Sequence, residues 1–167
     1  MDHELVAIDE VSFQLATNYK RIWFEKGKKP KGAFFWNNKK IITFAALTSS
    51  HKFFYEFYDS QNSITFLAFL SELFDWLDST KKYVLILDNA GWHKTQLVKN
   101  FIEKQKNVVA EFLPPYSPEL NPIETNWKVT RNAVTKSQFF KTIDELQVAL
   151  EQFWNKHIFM QDFMHYF

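Results

Sequence analysis

At 167 residues, 46% of them apolar, the chain is long enough for one domain with a substantial core. The absence of Cys excludes disulfides and thiolate metal sites. No apolar run approaches the roughly 20 residues of a membrane helix, and the N-terminus lacks the basic segment of a signal peptide, so we expect a cytoplasmic protein without a membrane partner. The net charge of +1 creates no overall field for nucleic acid, although basic residues dominate positions 20–40.

Alternating apolar and polar residues in the first third of the chain predict β-strands. The first strand spans 5–15, and its period of two places Asp9 on the same face as Ala7 and Val11, with Glu10 on the opposite face. Further strands are predicted at 21–25, 40–47 and 52–58, with a basic turn at 26–32. Their spacing favours an antiparallel meander.

A helical period replaces the alternation after the fourth strand. Residues 62–79 are predicted to form a helix, and its apolar positions cover most of the circumference. These positions are Ile64, Phe66, Leu67, Phe69, Leu70, Leu73, Phe74, Trp76 and Leu77. Because a helix that is apolar nearly all round has to be covered on more than one side, we expect this one to be buried on two sides.

The rest of the chain alternates between short strands and helices. Strands are predicted at 84–88 and 108–113, and helices at 93–104, from Asn121 onward and at 142–156. Pro122 occupies the first turn of the Asn121 helix, where its missing N–H costs nothing. The residues expected to face inward are Leu97, Phe101 and Val98 in the 93–104 helix, then Ile123, Trp127, Thr130 and Val134 in the Asn121 helix.

This order of elements predicts an α/β fold of the ribonuclease H-like type over residues 1–167. Its mixed central sheet would combine an antiparallel meander with parallel strands, flanked by helices. In that topology the middle of the first strand lies beside the end of the 84–88 strand. Asp9 and Asp88 are therefore expected to be neighbours, at an edge of the sheet where ligand sites commonly form.

Three motifs in order carry a resemblance to a known family. They are AIDE at the first strand, DNAGWH after the 84–88 strand, and PPYSPELNPIE before the Asn121 helix. Together they resemble the signature of the mariner-type superfamily of DDE transposases, in its bacterial and archaeal insertion-sequence branch. The resemblance implies a catalytic acidic triad of Asp9, Asp88 and Glu124. It also implies that the family's N-terminal helix-turn-helix region, which recognises DNA ends, is missing.

Carboxylates suit the chemistry that this resemblance implies. Phosphodiester cleavage in such enzymes uses two Mg²⁺ ions roughly 3.5–4 Å apart. Mg²⁺, or Mn²⁺ as a substitute, favours carboxylate oxygens. Three like charges in one cleft repel one another, so we expect a strained site that metal relieves. Asn89 and His93 are expected to contact and orient the metal ligands. The residues expected to contact DNA phosphates are Lys26, Lys28, Lys29, Lys31, Lys128 and Arg131.

Each acidic residue also has a purely structural interpretation. Asp9 could be a solvated strand residue, and Asp88 could cap the turn that follows it. Glu124 could form a capping box with Asn121. Glu119, in the irregular loop, competes with Glu124 as third ligand, but no helix directs its side chain. The three motifs at these separations outweigh the structural interpretations.

The main hypothesis is the catalytic core of a cut-and-paste DNA transposase. It would hydrolyse phosphodiesters at transposon ends and transfer the freed 3′-hydroxyl to target DNA, as a homodimer and without a small-molecule substrate. Two alternatives stay open. One is a ribonuclease H-like nuclease of the resolvase type. The other is a catalytically idle remnant or DNA-binding accessory.

Overall fold

A mixed sheet forms the centre of the computed structural model, which describes residues 3–15, 26–27, 37–136 and 138–166. Within that part of the chain the sheet has five strands, in the order β3-β2-β1-β4-β5. They are β1 (Glu4–Gln14), β2 (Lys40–Thr48), β3 (Phe53–Tyr58), β4 (Tyr83–Leu87) and β5 (Val108–Phe112). β1, β2 and β3 are antiparallel neighbours, whereas β4 runs parallel to β1 and β5 parallel to β4. The ribonuclease H-like order is confirmed, and the strand predicted at 21–25 lies outside the described residues.

Helices cover both faces of this sheet. They are α1 (Ser63–Trp76), α2 (Gln96–Glu103), α3 (Glu124–Thr130) and α4 (Ile143–Trp154). Asn62, Thr95 and Thr142 cap α1, α2 and α4 by accepting backbone N–H groups of the first turn. α1 and α2 share one hydrophobic cluster with the sheet, and α3 and α4 share another. None of the helices that the structure describes is long and apolar enough to cross a membrane.

The alternation of β1 delivers its side chains to two different cores. Val6 and Ile8 belong to the cluster under α1 and α2, and Ala7 and Val11 to the cluster under α3 and α4. Successive strand residues point to opposite faces, so Asp9 points toward α3 and Glu10 toward α1 and α2. The predicted separation of these two acids is confirmed by their hydrogen bonds, to Trp127 and His93 respectively.

The expectation that α1 is buried on two sides is only partly confirmed. Its buried residues, Phe66, Phe69, Leu70 and Leu73, pack in the cluster beneath the sheet, and Phe74 stacks on Phe101 of α2. Ile64 is 73% exposed. One layer of helices on this face leaves the outer side of α1 open to solvent. A count of apolar positions does not show which of them the sheet covers.

The predicted 93–104 helix is divided in two. A short 3₁₀ helix occupies Gly91–Lys94, and α2 starts afresh at Gln96 because the Thr95 hydroxyl accepts the N–H of Val98. This break changes which face of α2 is covered. Its buried residues are Val98 and Ile102, whereas Leu97, expected to be inward, is 57% exposed. The inner face predicted for the Asn121 helix is confirmed, with Ile123, Trp127, Thr130 and Val134 all buried.

The corrected face of α1 generates a stability prediction. Phe69→Ala should lower the free energy of unfolding by about 3–5 kcal/mol, because it removes a fully buried ring and leaves a cavity. Ile64→Ala, on the exposed side, should change it by no more than about 0.5 kcal/mol. Urea denaturation of both variants checks this. Comparable losses would mean that both sides of α1 are covered.

Candidate active site

Asp9 and Asp88 lie side by side on adjacent parallel strands. The register between β1 and β4 pairs Ala7 with Ile86, and each aspartate stands two residues further along its own strand direction. Ala7 and Ile86 face the same hydrophobic cluster. The aspartates therefore emerge together on the α3 side of the sheet, as the predicted topology requires.

The start of α3 brings Glu124 close enough to Asp9 for its charge to act on that carboxyl. The amide of Asn121, which is 2% exposed, donates a 3.1 Å hydrogen bond to the carbonyl of Ile8, immediately before Asp9. Buried polar groups need such partners, so this bond fixes the loop before α3 against β1. The helix begins at Glu124 rather than near Pro122. The positioning role of Asn121 is not visible in the sequence, because Pro122 after it indicates a helix cap.

The capping box considered for Asn121 and Glu124 does not form. The Asn121 N–H, which the Glu124 carboxylate would have accepted, donates instead to the carbonyl of Pro118 at 2.9 Å. The Asn121 side chain links two elements: its amide donates to the carbonyl of Ile8 on β1, and its Oδ1 accepts the N–H of Ile123 at 3.4 Å, just before α3. The structural interpretation that competed with a ligand role for Glu124 is thereby removed.

Asp9 carries the electrostatic strain of the site. Its Oδ2 accepts a 2.8 Å hydrogen bond from Trp127 Nε1. Although part of its surface reaches solvent, close packing desolvates the carboxyl, and this raises its pKa to about 7 with the help of the charges of Glu10 and Glu124. The Trp127 bond opposes that rise only in part. Glu124 is thus close enough to repel the charge on Asp9.

Asp88 has the opposite environment. Burial alone would raise its pKa, but contact with His93 and the N–H of Ala90, together with the positive charges of His93 and Lys94, lowers it below 3.8. The Ala90 bond of 2.9 Å is the turn cap that the sequence suggested, so it coexists with the neighbourhood of Asp9. The expectation of strain is therefore right for Asp9 and wrong for Asp88.

His93 connects Asp88 to a second buried carboxylate. The imidazole is fully buried, with Nδ1 2.8 Å from Asp88 Oδ1 and Nε2 2.6 Å from Glu10 Oε1. The Nδ1–H is not aligned on Asp88, so that contact is an ion pair rather than a linear hydrogen bond. Burial lowers the pKa of His93, but the two carboxylates outweigh it and raise the pKa to about 9. The ring is therefore a buried cation at neutral pH.

Glu10 is the functional candidate that sequence analysis did not single out. Its side chain is 3% exposed and accepts hydrogen bonds from both His93 and Trp92 Nε1. The available signal was its opposite orientation to Asp9 on β1, which placed a carboxylate inside the α1 and α2 core. A buried carboxylate requires a paired cation, and His93 supplies it.

Asn89 holds the end of β4 to the proline loop. Its amide donates to the carbonyl of Leu113, and its oxygen accepts from the ammonium of Lys94. Leu113 in turn donates its N–H to the carbonyl of Leu87. Asn89 therefore fixes the backbone next to Asp88, and its support of a metal ligand stays a prediction.

The expected DNA-contacting residues are only partly placed. Lys26 is exposed in a turn, whereas Lys28, Lys29 and Lys31 lie outside the described residues. Lys128 is exposed on α3, and the exposed Arg131 places its guanidinium 5.9 Å from the centre of the Phe13 ring. Neither cation is buried, so both can reach a phosphate backbone.

The residues at this site fit a hard divalent cation. They offer carboxylate oxygens alone, which Mg²⁺ prefers, and the desolvated Asp9 is the group that a cation would relieve. Among the described residues, however, no three Asp, Glu, His or Cys side chains are close enough together to hold a metal ion. Asp9, Asp88 and Glu124 thus belong to one edge of the sheet but are too far apart in this structure to share a metal ion.

The chain belongs to the DDE superfamily of endonucleases, whose family model matches residues 4–147. An uncharacterized protein, y4pE/y4sA of Sinorhizobium fredii, is 39% identical over 87 residues, covering 52% of this chain and 62% of that protein. An uncharacterized 39 kDa protein of the insertion element IS630 in Shigella sonnei is 23% identical over 153 residues, covering 91% of this chain and 45% of that protein. The chain thus spans less than two thirds of either relative.

Solved structures with the same fold include those of the Mos1 transposase. A paired-end complex with the left transposon end has a TM-score of 0.76 at 20% identity, covering 95% of this chain and 49% of that one. A mariner Mos1 paired-end complex with Mg has a TM-score of 0.74 at 18% sequence identity, covering 98% of this chain and 51% of that one. The Mos1 catalytic domain has a TM-score of 0.69 at 19% sequence identity, covering 98% of this chain and 76% of that one. The predicted ribonuclease H-like fold is confirmed.

The contrast between the two aspartates predicts opposite pH effects on stability without divalent metal. The pKa of Asp9 rises on folding from 3.8 to about 7, so its charge destabilises the fold increasingly as pH rises through that interval. Asp9→Asn should therefore be stabilising near pH 8, by at most about 4 kcal/mol, and neutral near pH 4. The pKa of Asp88 falls on folding, so Asp88→Asn should be destabilising above pH 4.

Urea denaturation at pH 4, 6 and 8 in a chelator measures both effects. Asp75→Asn, on the exposed side of α1, is the matched control and should follow the parent protein. Stabilisation by both active-site substitutions would show that the two carboxylates are equally strained.

Proposed function

We propose that this chain is the catalytic core of a transposase that hydrolyses phosphodiesters at transposon ends and joins the freed 3′-hydroxyl to target DNA. The observation that carries the proposal is the placement of three carboxylates at one edge of the sheet. Asp9 and Asp88 follow paired positions of β1 and β4, and the charge of Glu124 helps to raise the pKa of Asp9. Membership of the DDE endonuclease superfamily supports a phosphodiester as the substrate.

Asp9, Asp88 and Glu124 are the residues that would hold Mg²⁺ or Mn²⁺, and we propose two ions. Bound metal would activate the attacking oxygen and stabilise the leaving oxygen of an in-line displacement. A Mos1 paired-end complex solved with Mg supports this choice of metal. The carboxylate-only donor set supports it independently.

The surrounding side chains orient these ligands. Trp127 holds one oxygen of Asp9, and His93 and the Ala90 N–H both engage Oδ1 of Asp88. Oδ2 of Asp88, whose side chain is 45% exposed, is left to face a ligand. Asn121 anchors the loop that leads into Glu124. Each ligand thus approaches the cleft from a different element.

DNA is the proposed partner, bound through its phosphates by Lys128, Arg131 and the lysines of the sequence segment 26–32. The Mos1 structures described as paired-end complexes support a dimer that holds two DNA ends. This chain spans about half of those Mos1 chains, so the assembly and its recognition of DNA ends are proposals. We propose that the reaction takes place in the cytoplasm of a prokaryotic cell, in association with the nucleoid.

Nicking of supercoiled plasmid DNA tests the proposal. The chain should nick DNA only with Mg²⁺ or Mn²⁺, and Asp88→Asn or Glu124→Gln should reduce the rate at least about 100-fold, as expected when charge stabilisation of the transition state is lost. Glu119→Gln is the matched control: Glu119 is exposed in the 3₁₀ turn Pro118–Leu120 and should retain most activity.

The pattern of losses decides the assignment. Loss of nicking by Glu119→Gln, with activity retained by Glu124→Gln, would show that Glu124 is not the third metal ligand. Equal nicking by the parent protein and Asp88→Asn would refute the enzymatic function. Nicking at transposon ends without joining to target DNA would favour the resolvase-type nuclease.

A further inference from the structure

A cavity of about 400 Å³ opens beside Asp88. One side is formed by Pro114, Pro115 and Pro118 of the loop after β5, and the other by Asp88 and Asn89 at the end of β4. Its volume falls within the roughly 300–1,000 Å³ range of ligand sites. Since Asp88 is a proposed metal ligand, a group bound here would lie next to the reacting phosphate.

Tyr116 stands at this cavity with its side chain fully open to solvent. It lines the cavity, and its exposed fraction is 101%. A tyrosine normally buries the body of its ring and leaves only the hydroxyl in water. Packing in the described structure therefore does not account for an aromatic residue at this position.

The backbone conformation does not account for it either. Tyr116 has φ of 59°, in the left-handed region that bulky side chains avoid and that Gly or Asn adopts more readily. The flanking prolines restrict the loop, and Asn89 ties it to β4 through the carbonyl of Leu113. Such conformations persist where the surroundings impose them, and they are concentrated at ligand sites.

The chemistry of the lining selects the kind of ligand. The described residues around the cavity include no Lys, Arg or His, and their one charged group is the carboxylate of Asp88. An anionic phosphate has no cation to bind there without metal. Proline rings and an exposed aromatic ring instead suit a flat, apolar face. In a DNA substrate that face belongs to a nucleobase, and it is accessible only where the base is unpaired and unstacked.

We propose that Tyr116 is a stacking platform for an unpaired nucleobase of the DNA strand being cleaved or joined, seated in the cavity beside Asp88. The proposal rests on the DNA-processing function proposed above and assigns a nucleotide subsite to it. Stacking on an aromatic ring tolerates any base. The platform would therefore hold the strand near the metal ligands without reading its sequence.

Binding of a forked oligonucleotide tests the subsite. The probe is a DNA duplex with a short unpaired flank containing 2-aminopurine, whose fluorescence falls on stacking, and no divalent metal is added, so that no cleavage occurs. Tyr116→Asn should weaken binding of the fork by about five- to a hundredfold and abolish the quenching, as loss of one stacked base does elsewhere. Tyr116→Phe should retain both, because it keeps the ring. Binding of a fully paired duplex should be unchanged.

A structural role is distinguished by stability. Asn tolerates the positive φ, so Tyr116→Asn should melt at the same temperature as the parent protein or higher. Phe139→Ala, which removes a ring that is 52% exposed and does not line the cavity, is the control for loss of any surface aromatic and should bind the fork normally. Unchanged fork binding by Tyr116→Asn, a lower melting temperature for it, or no quenching with the parent protein would overturn the proposal.

Failure of the subsite and failure of the enzymatic function give different results. A parent protein that nicks DNA but shows no dependence of fork binding on Tyr116 refutes the subsite alone. A parent protein whose fork binding depends on Tyr116 but that does not nick DNA with Mg²⁺ refutes the enzymatic function alone.

Discussion

Desolvation of the Asp9 carboxyl, together with repulsion from neighbouring carboxylates, is the constraint on which the rest of the site depends. Asp9 lies near two other acids, and burial with their charges raises its pKa to about 7. Water would relieve this repulsion, but the packing of α3 against β1 excludes much of it. The fold keeps Asp9 in place through the Trp127 hydrogen bond and the Asn121 link to Ile8. Residues of the core thus hold a charge in a position that is unfavourable without a cation.

Asp88 and Glu10 have the opposite environment, because a cation lies between them. His93 lies between Asp88 and Glu10 as a buried cation, with its pKa raised to about 9, and it lowers the pKa of Asp88. The two aspartates therefore differ although they are neighbours: one is prepared as a charged ligand, and the other needs a cation to ionise fully at neutral pH. Environments that separate two carboxylates in this way are typical of sites that perform chemistry.

Much of this arrangement was predictable from the sequence, because period and topology are local properties with geometric consequences. The alternation of β1 separated Asp9 from Glu10, and the order of strands placed Asp9 beside Asp88. What could not be predicted depends on tertiary contacts. Packing against the sheet decides which face of α1 is covered. The cap formed by Thr95 interrupts the predicted 93–104 helix. The role of Asn121 depends on its hydrogen bond to a carbonyl 113 residues away in the sequence.

The most direct measurement is the stability gained on adding Mg²⁺ or Mn²⁺ at pH 8. With metal at about 100 times its dissociation constant, the free energy of unfolding of the parent protein should rise by about 2.7 kcal/mol, because metal binds only the folded state. Asp9→Asn should lose most of this gain, and Glu119→Gln should keep it. An equal gain in the parent protein and Asp9→Asn would contradict the account, since the strained carboxylate would then not be the one that metal relieves.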